Sequence, residues 1–360
     1  MSGMRKESLI TILIFLLLIL LRLPGLDNSP AEYHSWRQSD TEAMARNLLE
    51  QKFNIFYPQL NYDGAPPNYA QLELQITTFL IAGLYGLIGH YYFLARIIPL
   101  LFFLGSAYYL YRIGKEAADQ LTGWLALVIY GTFPFCLFFS RAIMPESAAL
   151  LFMTAGFYYF MVWQKKENNR LILIFSAFLT ALAITQKIPA IYLGLPMAYL
   201  ILRKHGFKAL RTVSVWLYAL IALLPPAIYF IWLQGVAQTD YVSGIAMNLL
   251  LPAWQGQIFS SAARTFLKQA LFRAYTPLAL MLAFIGLFFL RDQKSRFLIS
   301  WFLAATLEII FVATIIRLDY YLILVAPLIA LLAAITLHHL LRYRLGWSVC
   351  GLILFLILLR

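Results

Sequence analysis

The chain has 360 residues, 62% of them hydrophobic and only 12% charged, with a net charge of +12. Soluble domains carry about 25% charged residues, so the composition excludes one and leaves a polytopic membrane protein. The basic excess does not indicate nucleic acid, because Lys and Arg stand in short clusters between apolar runs, as in loops retained on the cytoplasmic side. Cys136 and Cys350 both lie inside apolar runs and offer neither a disulfide framework nor metal-ligand spacing.

The first run, Leu9 to Leu26, follows Arg5 and Lys6 and has no small-residue cleavage site after it. It is predicted to be an uncleaved anchor with its N-terminus inside. Later spans are predicted over Arg96–Tyr111, Leu121–Phe139, Ser147–Trp163, Leu171–Thr185, Ile188–Leu202, Thr212–Gln234, Pro277–Leu290, Phe297–Ile316 and Tyr320–Leu341. With this alternation every inner loop carries the basic excess: Arg112 and Lys115, then Lys165 and Lys166, Arg203 and Lys204, Arg291 and Lys294, and finally Arg342 and Arg344. The alternation requires that Ile76–Gly89 does not cross. That run is short for about 30 Å of hydrocarbon and suits an interfacial or re-entrant helix. Trp347–Leu359 is also too short and is predicted to begin a last span that the sequence breaks off.

The outer face is then built from a first loop (27–92), a turn at Arg141–Glu146, the Lys187 corner, a second loop (235–276) and the Arg317 corner. Ionisable groups are rare in such a chain, so the cluster Glu32-Tyr33-His34-Ser35-Trp36-Arg37-Gln38-Ser39-Asp40 reads as the start of an active site. Ser39 and Glu42 form a capping-box pattern, and Asp40–Glu50 is predicted to be an amphipathic helix with Asp40 in its first turn.

Four landmarks carry a resemblance. They are His34-Ser35-Trp36-Arg37-Gln38-Ser39-Asp40 through Ala45-Arg46-Asn47, Tyr62-Asp63-Gly64 to Glu73, Arg141-Ala142-Ile143-Met144-Pro145-Glu146, and Arg317-Leu318-Asp319-Tyr320-Tyr321 to Pro327. In their order and common outer location the chain resembles the GT-C superfamily of membrane glycosyltransferases, specifically the family-39-like bacterial protein O-mannosyltransferases and lipid A aminoarabinose transferases. The resemblance implies an all-α fold: a polytopic transmembrane helical bundle of GT-C type with about ten to eleven spans and amphipathic interfacial helices in the first outer loop. Residues 1–346 would form the catalytic module and 347–360 the start of the last span.

It further implies transfer of a sugar, with inversion, from a polyprenyl-phosphate-linked donor to a glycan, lipid or protein acceptor. The location implied is a bacterial inner membrane, with a cytoplasmic N-terminus and a periplasmic or extracellular site. No cofactor beyond the lipid-linked donor is implied with certainty, no metal ligands are assigned, and no ligand spacing supports a divalent cation. The partners expected are the polyprenyl-phosphate sugar, the acceptor and membrane lipids, with no nucleic acid. A transporter or flippase of lipid-linked saccharides is the alternative, but it would place ionisable groups along the spans and show inverted repeats.

Such a transfer needs a carboxylate or His to take the acceptor proton and fixed cations to hold the leaving phosphate. Asp40 is the expected base, with Glu146 as the second acid and Glu32 and His34 as the other candidates. Arg37, Arg141, Lys187 and Arg317 are the candidate phosphate ligands, and Trp36 and Glu73 are candidate substrate contacts. Each also has a plainer reading: Asp40 as a helix-start charge, Glu146 as a capping carboxylate or partner of Arg141, His34 as a hydrogen-bonded interfacial side chain, and Trp36 as an aromatic-belt anchor. Glu73 and Lys187 read equally as boundary charges, and Arg96 and Arg317 as snorkelling cations. His338 and His339 fall near the inner face and read as structural. Two departures from the family pattern stand out: Arg37 and Gln38 occupy the place of the family's adjacent Asp-Glu pair, and Ala65 that of the Lys in its Lys-Pro-Pro pattern.

Overall fold

The apolar runs fold as helices, and most of the predicted corners are where those helices end. The computed structural model describes residues 2–61, 66–166, 169–239, 241–250 and 260–342. The Tyr62-Asp63-Gly64 landmark, Ala65, Cys350 and the Trp347–Leu359 run lie outside the described residues. In chain order the main helices are α1 (Ser2–Leu20), α2 (Ser35–Glu50), α3 (Ile76–Ile88), α4 (Tyr92–Ala117), α5 (Gln120–Thr132), α6 (Pro134–Phe139) and α7 (Glu146–Lys165). They continue with α8 (Arg170–Gln186), α9 (Gly194–His205), α10 (Val213–Gln234), α11 (Ser261–Tyr275), α12 (Pro277–Gly286), α13 (Phe297–Glu308) and α14 (Ala326–Arg342).

By length and hydropathy, four helical stretches among the described residues can cross a membrane unaided: Tyr92–Ala117, Val213–Gln234, Phe297–Ile316 and Asp319–Arg342. A fifth candidate is the pair Ser261–Tyr275 and Pro277–Phe289, bent by 92°. Of the other predicted spans, Ser147–Trp163 lies in the unbroken 20-residue α7, which is less apolar, and the rest fall to shorter or broken helices. Leu121–Phe139 breaks at Pro134, whose missing N–H and fixed φ begin a new helix, and Ile188–Leu202 opens as 3₁₀ turns over Ile188–Leu193. The α3 helix has 13 residues, about 20 Å of rise, which is short of the hydrocarbon thickness.

The core is the seam where α4, α5, α7 and α14 meet, with α14 almost wholly buried from Ala326 to Leu337. Close approach depends on small residues. A Cβ at Gly286 would lie 2.2 Å from the Leu332 carbonyl oxygen, so α12 and α14 touch backbone to backbone there. Arg22, fully buried just past α1, donates to Ser140 Oγ at 2.7 Å and to the carbonyls of Leu18 and Gly131 at 2.8 and 2.7 Å, with its guanidinium 4.4 Å from the Phe103 ring centre. A buried guanidinium satisfied in this way ties the first helix to the corner that follows α6.

The α2 helix differs from the prediction at its start. It begins at Ser35, not at Asp40, with His34 as N-cap in the left-handed region (φ 56°, ψ 39°) and no side-chain cap bond. The Ser39–Glu42 capping box therefore does not form, and Asp40 sits in the second turn, because a helix already running through Ser39 leaves no free N–H for its hydroxyl to cap. Glu42 instead turns inward and accepts from His90 Nε2 at 2.5 Å, with Arg46 at 3.1 Å.

Candidate active site

The predicted outer corners meet at one end of the bundle. Arg37, on the buried stripe of α2 with Thr41, Met44, Ala45 and Leu48, pairs with Glu73. The Glu73 segment is stitched to the end of α8: Leu74 N–H donates to the Thr185 carbonyl at 3.2 Å, and Gln186 Nε2 donates to the Leu74 carbonyl at 2.6 Å. One residue further, Lys187 leaves the helix and places its ammonium 2.7 Å from Glu146 Oε1, at the first residue of α7. The same ammonium lies 4.8 Å from the Tyr320 ring centre and 5.6 Å from that of Tyr321. Residues from five separate stretches of sequence thus enclose one polar cluster.

Its electrostatics are mutual. Burial opposes the charge on Arg37, but Glu73, Tyr320, Glu146 and Asp40 together hold its pKa above the ordinary value. Burial likewise opposes ionisation of Lys187, and Glu146 and Glu73 more than compensate, so its pKa is also raised. For Glu73, burial pushes the pKa up while Arg37 and Lys187 pull it down, and the net direction is down. All three groups are therefore charged at neutral pH. Neither Glu146 oxygen receives a well-directed hydrogen bond, so the pair with Lys187 is held by charge and both oxygens keep acceptor capacity.

Asp40 lies one turn after Arg37 and four residues after Trp36, which places the three along one side of α2. Trp36 is 52% exposed and Asp40 half-buried. Burial raises the Asp40 pKa, with Arg37 pulling it back.

A second cluster borders the first. Asp319 Oδ1 accepts from His34 Nε2 at 2.8 Å, Tyr33 donates to Oδ2, and Arg273 approaches Oδ2 at 3.6 Å. The His34 ring meets Tyr320 edge-on at 5.3 Å, so Tyr320 stands between His34 and Lys187.

The remaining candidates are placed elsewhere. Glu32 pairs with Arg96 at 3.2 Å and accepts from Asn28. Arg96 does not snorkel: it is fully buried and donates to the carbonyls of Asn28, Ser29 and Arg141 at 2.9, 2.9 and 3.1 Å, because a guanidinium can satisfy several orphaned carbonyls at once. Arg141 does not pair with Glu146, which Lys187 has claimed. It lies beside Gly25 and Asn28, with its Nε buried and without a hydrogen-bond partner. Arg317 is exposed and ends its helix in the left-handed region at φ 55°. Gln38 bridges the first loop to the Arg141–Glu146 corner, donating to the Tyr33 carbonyl at 2.8 Å and accepting from Ile143 N–H at 3.2 Å. His338 lies 3.3 Å from Asp119, and His339 stacks on Phe289. Among the described residues no group of three or more His, Cys, Asp or Glu side chains is placed to hold a metal ion.

Asp319, Tyr320, Tyr321 and Arg273 border these clusters but were not among the candidates, and Tyr33 was read only as part of the 32–40 stretch. The first three lay within the Arg317–Tyr321 landmark, where Arg317 drew attention as the more visible charge. Arg273 had no signal, because nothing in the sequence reveals the bend that brings α11 over Asp319.

Residues 76–232 match the family model for dolichyl-phosphate-mannose-protein mannosyltransferase. The structure is similar to that of ArnT from Cupriavidus metallidurans bound to undecaprenyl phosphate, with a TM-score of 0.70 and 14% identity over 95% of this chain and 62% of that one. It is also similar to AglB from Archaeoglobus fulgidus in complex with an inhibitory peptide and a dolichol-phosphate, with a TM-score of 0.60 and 12% identity over 98% of this chain and 54% of that one. The chain thus spans less than two thirds of either structure's length. No curated protein matches it in sequence. With the family match over 76–232 and this likeness along nearly its whole length, the chain is a polytopic membrane protein with the GT-C glycosyltransferase fold.

Proposed function

We propose that this protein transfers a sugar from a polyprenyl-phosphate-linked donor to an acceptor hydroxyl, at the membrane face where the first loop and the Lys187 and Asp319 corners meet. The observation that carries this reading is the enclosure of Arg37 and Lys187 among Glu73, Glu146 and Tyr320, with Asp40 beside them. Arg37 uses one donor on Glu73, and Lys187 is held beside Glu146 by charge, so each keeps N–H groups for phosphate oxygens. Already desolvated, these donors bind a lipid phosphate more strongly than the same groups would in water.

Asp40 takes the acceptor proton as the acceptor oxygen bonds to the anomeric carbon. The bond from that carbon to the phosphate oxygen breaks on the opposite side, which inverts the anomeric centre, and the carrier leaves as a phosphate monoester facing Arg37 and Lys187. Trp36 offers a face for the sugar, and Glu146 orients the acceptor. In the orientation proposed, the N-terminus is cytoplasmic and the site lies on the far side of a bacterial inner membrane. The likeness to ArnT bound to undecaprenyl phosphate and to AglB with a dolichol-phosphate supports a carrier of this chemistry. A flippase is less well supported, because the ion pairs gather at the bundle's ends.

The direct test incubates the full chain in membranes with polyprenyl-phosphate donors carrying a radiolabelled sugar. Label moving to a membrane acceptor, with release of polyprenyl phosphate, is the expected result. Label that crosses the bilayer while still attached to its carrier would favour the flippase.

A further inference from the structure

His34 and Asp319 form a polar pair that the transfer step leaves unused. His34 Nε2 donates to Asp319 Oδ1 at 2.8 Å. An ionised carboxylate only accepts, so in the neutral ring the proton lies on Nε2 and Nδ1 carries the lone pair. The other carboxylate oxygen takes the Tyr33 hydroxyl and faces Arg273 at 3.6 Å, and these two donors fix which way the carboxylate is turned. The rings of Tyr33, Phe139 and Tyr320 stand around the imidazole, with centres 4.3, 5.9 and 5.3 Å away.

A pair that only latched the first loop to the last corner would need nothing more, but two observations point further. Nδ1 has no hydrogen-bond partner among the described residues and is not one of their sealed polar atoms, and His34 keeps 11% of its side-chain surface open. His34 also holds φ 56° at the start of α2, a region unfavourable for a residue with a side chain, and its ring makes no cap bond in return. Backbone strain of this kind gathers where a side chain is held for a ligand. Lys187 lies across the Tyr320 ring, so a phosphate on Lys187 brings the hydroxyls of its sugar within about one ring's breadth of His34.

We infer that His34 Nδ1 accepts a hydrogen bond from a hydroxyl of the transferred sugar, and that Asp319 is the positioning residue that keeps the proton on Nε2 and the lone pair on Nδ1. The inference rests on the transfer reading above and adds a demand on the donor: its sugar must carry a free hydroxyl at that place. Fluorine there could not donate. In Asp319→Asn, Tyr33 and Arg273 hold the amide oxygen on their side, so the amide N–H faces Nε2 and drives the ring proton onto Nδ1.

The test uses the full chain, labelled with nitrogen-15 histidine, in an uncharged detergent. Of its five histidines, His34 is assigned by the signal lost in His34→Asn, a residue that tolerates the left-handed backbone. The native spectrum should show Nε2 protonated and Nδ1 bare, and Asp319→Asn should reverse them. From a panel of polyprenyl-phosphate hexoses and pentoses, at least one should move the Nδ1 signal, whereas bare polyprenyl phosphate should not. Among versions of that donor with one hydroxyl replaced by fluorine, one should bind about tenfold more weakly than its parent to the native protein and lose that deficit in Asp319→Asn. A proton on Nδ1 in the native protein, no response of Nδ1 to any sugar, or fluorinated donors that all bind like their parent would overturn the assignment. Should Asp319→Asn fold poorly, the native responses decide. Sugar transfer with Nδ1 unmoved would sink this inference alone, and an Nδ1 response without transfer would sink the transfer reading while upholding the contact.

Discussion

Lys187 Nζ lies 2.7 Å from Glu146 Oε1, with side-chain exposures of 9% and 1%, and the pair joins the end of α8 to the start of α7. Removing one member of a buried pair leaves the other charge uncompensated, at a cost of about 3 to 5 kcal/mol. Lys187→Ala should therefore lower the thermal midpoint in detergent and abolish turnover. Lys187→Met combined with Glu146→Leu should recover most of the stability with no turnover, separating support of the fold from catalysis. A double variant that transfers sugar at the native rate would remove the pair from the mechanism.

Asp40→Asn keeps the side-chain shape but cannot accept a proton, so the rate at saturating donor should fall by about 10² to 10⁴ while donor binding holds. Burial raises the Asp40 pKa and the base works ionised, so native turnover should fall as pH drops through a value above the ordinary carboxylate, about 3.9. That acid limb should be missing from the residual activity of the Asn variant. Glu146→Gln should cost less. Near-native turnover in Asp40→Asn, with Glu146→Gln inactive, would transfer the role of base to Glu146.

Arg37→Ala should remove a charge-assisted contact worth about 1.5 to 3 kcal/mol, a tenfold or greater loss at limiting donor. Lys at position 37 restores the charge without the planar fork and should recover only part of that loss. Turnover at limiting donor is the measurement, and an unchanged value in Arg37→Ala would place the phosphate elsewhere. Glu73 gives a pH signature in the same pair. Its folded pKa is depressed, so its contribution to stability is present above the unfolded value, about 4.3, and is lost as pH falls through the folded one. Glu73→Gln should remove that acid-side loss from the stability profile.

Membrane orientation is testable with single cysteines. In right-side-out cells, Asn61→Cys should react with an impermeant thiol reagent and Glu116→Cys should not. Cys136 is buried and should stay silent. Reversed labelling would invert the whole orientation.

The positions of the apolar helices, and the shortness of Ile76–Ile88, were legible because hydropathy and basic clusters mark where apolar segments run and end. The gathering of Arg37, Glu73, Glu146 and Lys187 followed from the same alternation, which sends their loops to one end. Pairing was not legible. Arg141 is the sequence neighbour of Glu146, yet Lys187 takes it, because α8 ends beside the start of α7 and the chain at Arg141 turns toward Gly25. The start of α2 was missed for a related reason: His34 caps it through a left-handed backbone conformation, which no side-chain pattern announces.

The His34–Asp319 bond joins residues 285 positions apart. In a chain inserted from its N-terminus, the first loop reaches its membrane face early, with His34, Tyr33 and Arg37 still lacking the aromatic floor that Tyr320 supplies. Until Asp319 arrives, the cationic pocket stands open and half assembled. A nascent chain stopped just before that corner would carry most of the candidate spans and still lack Asp319 and Tyr320.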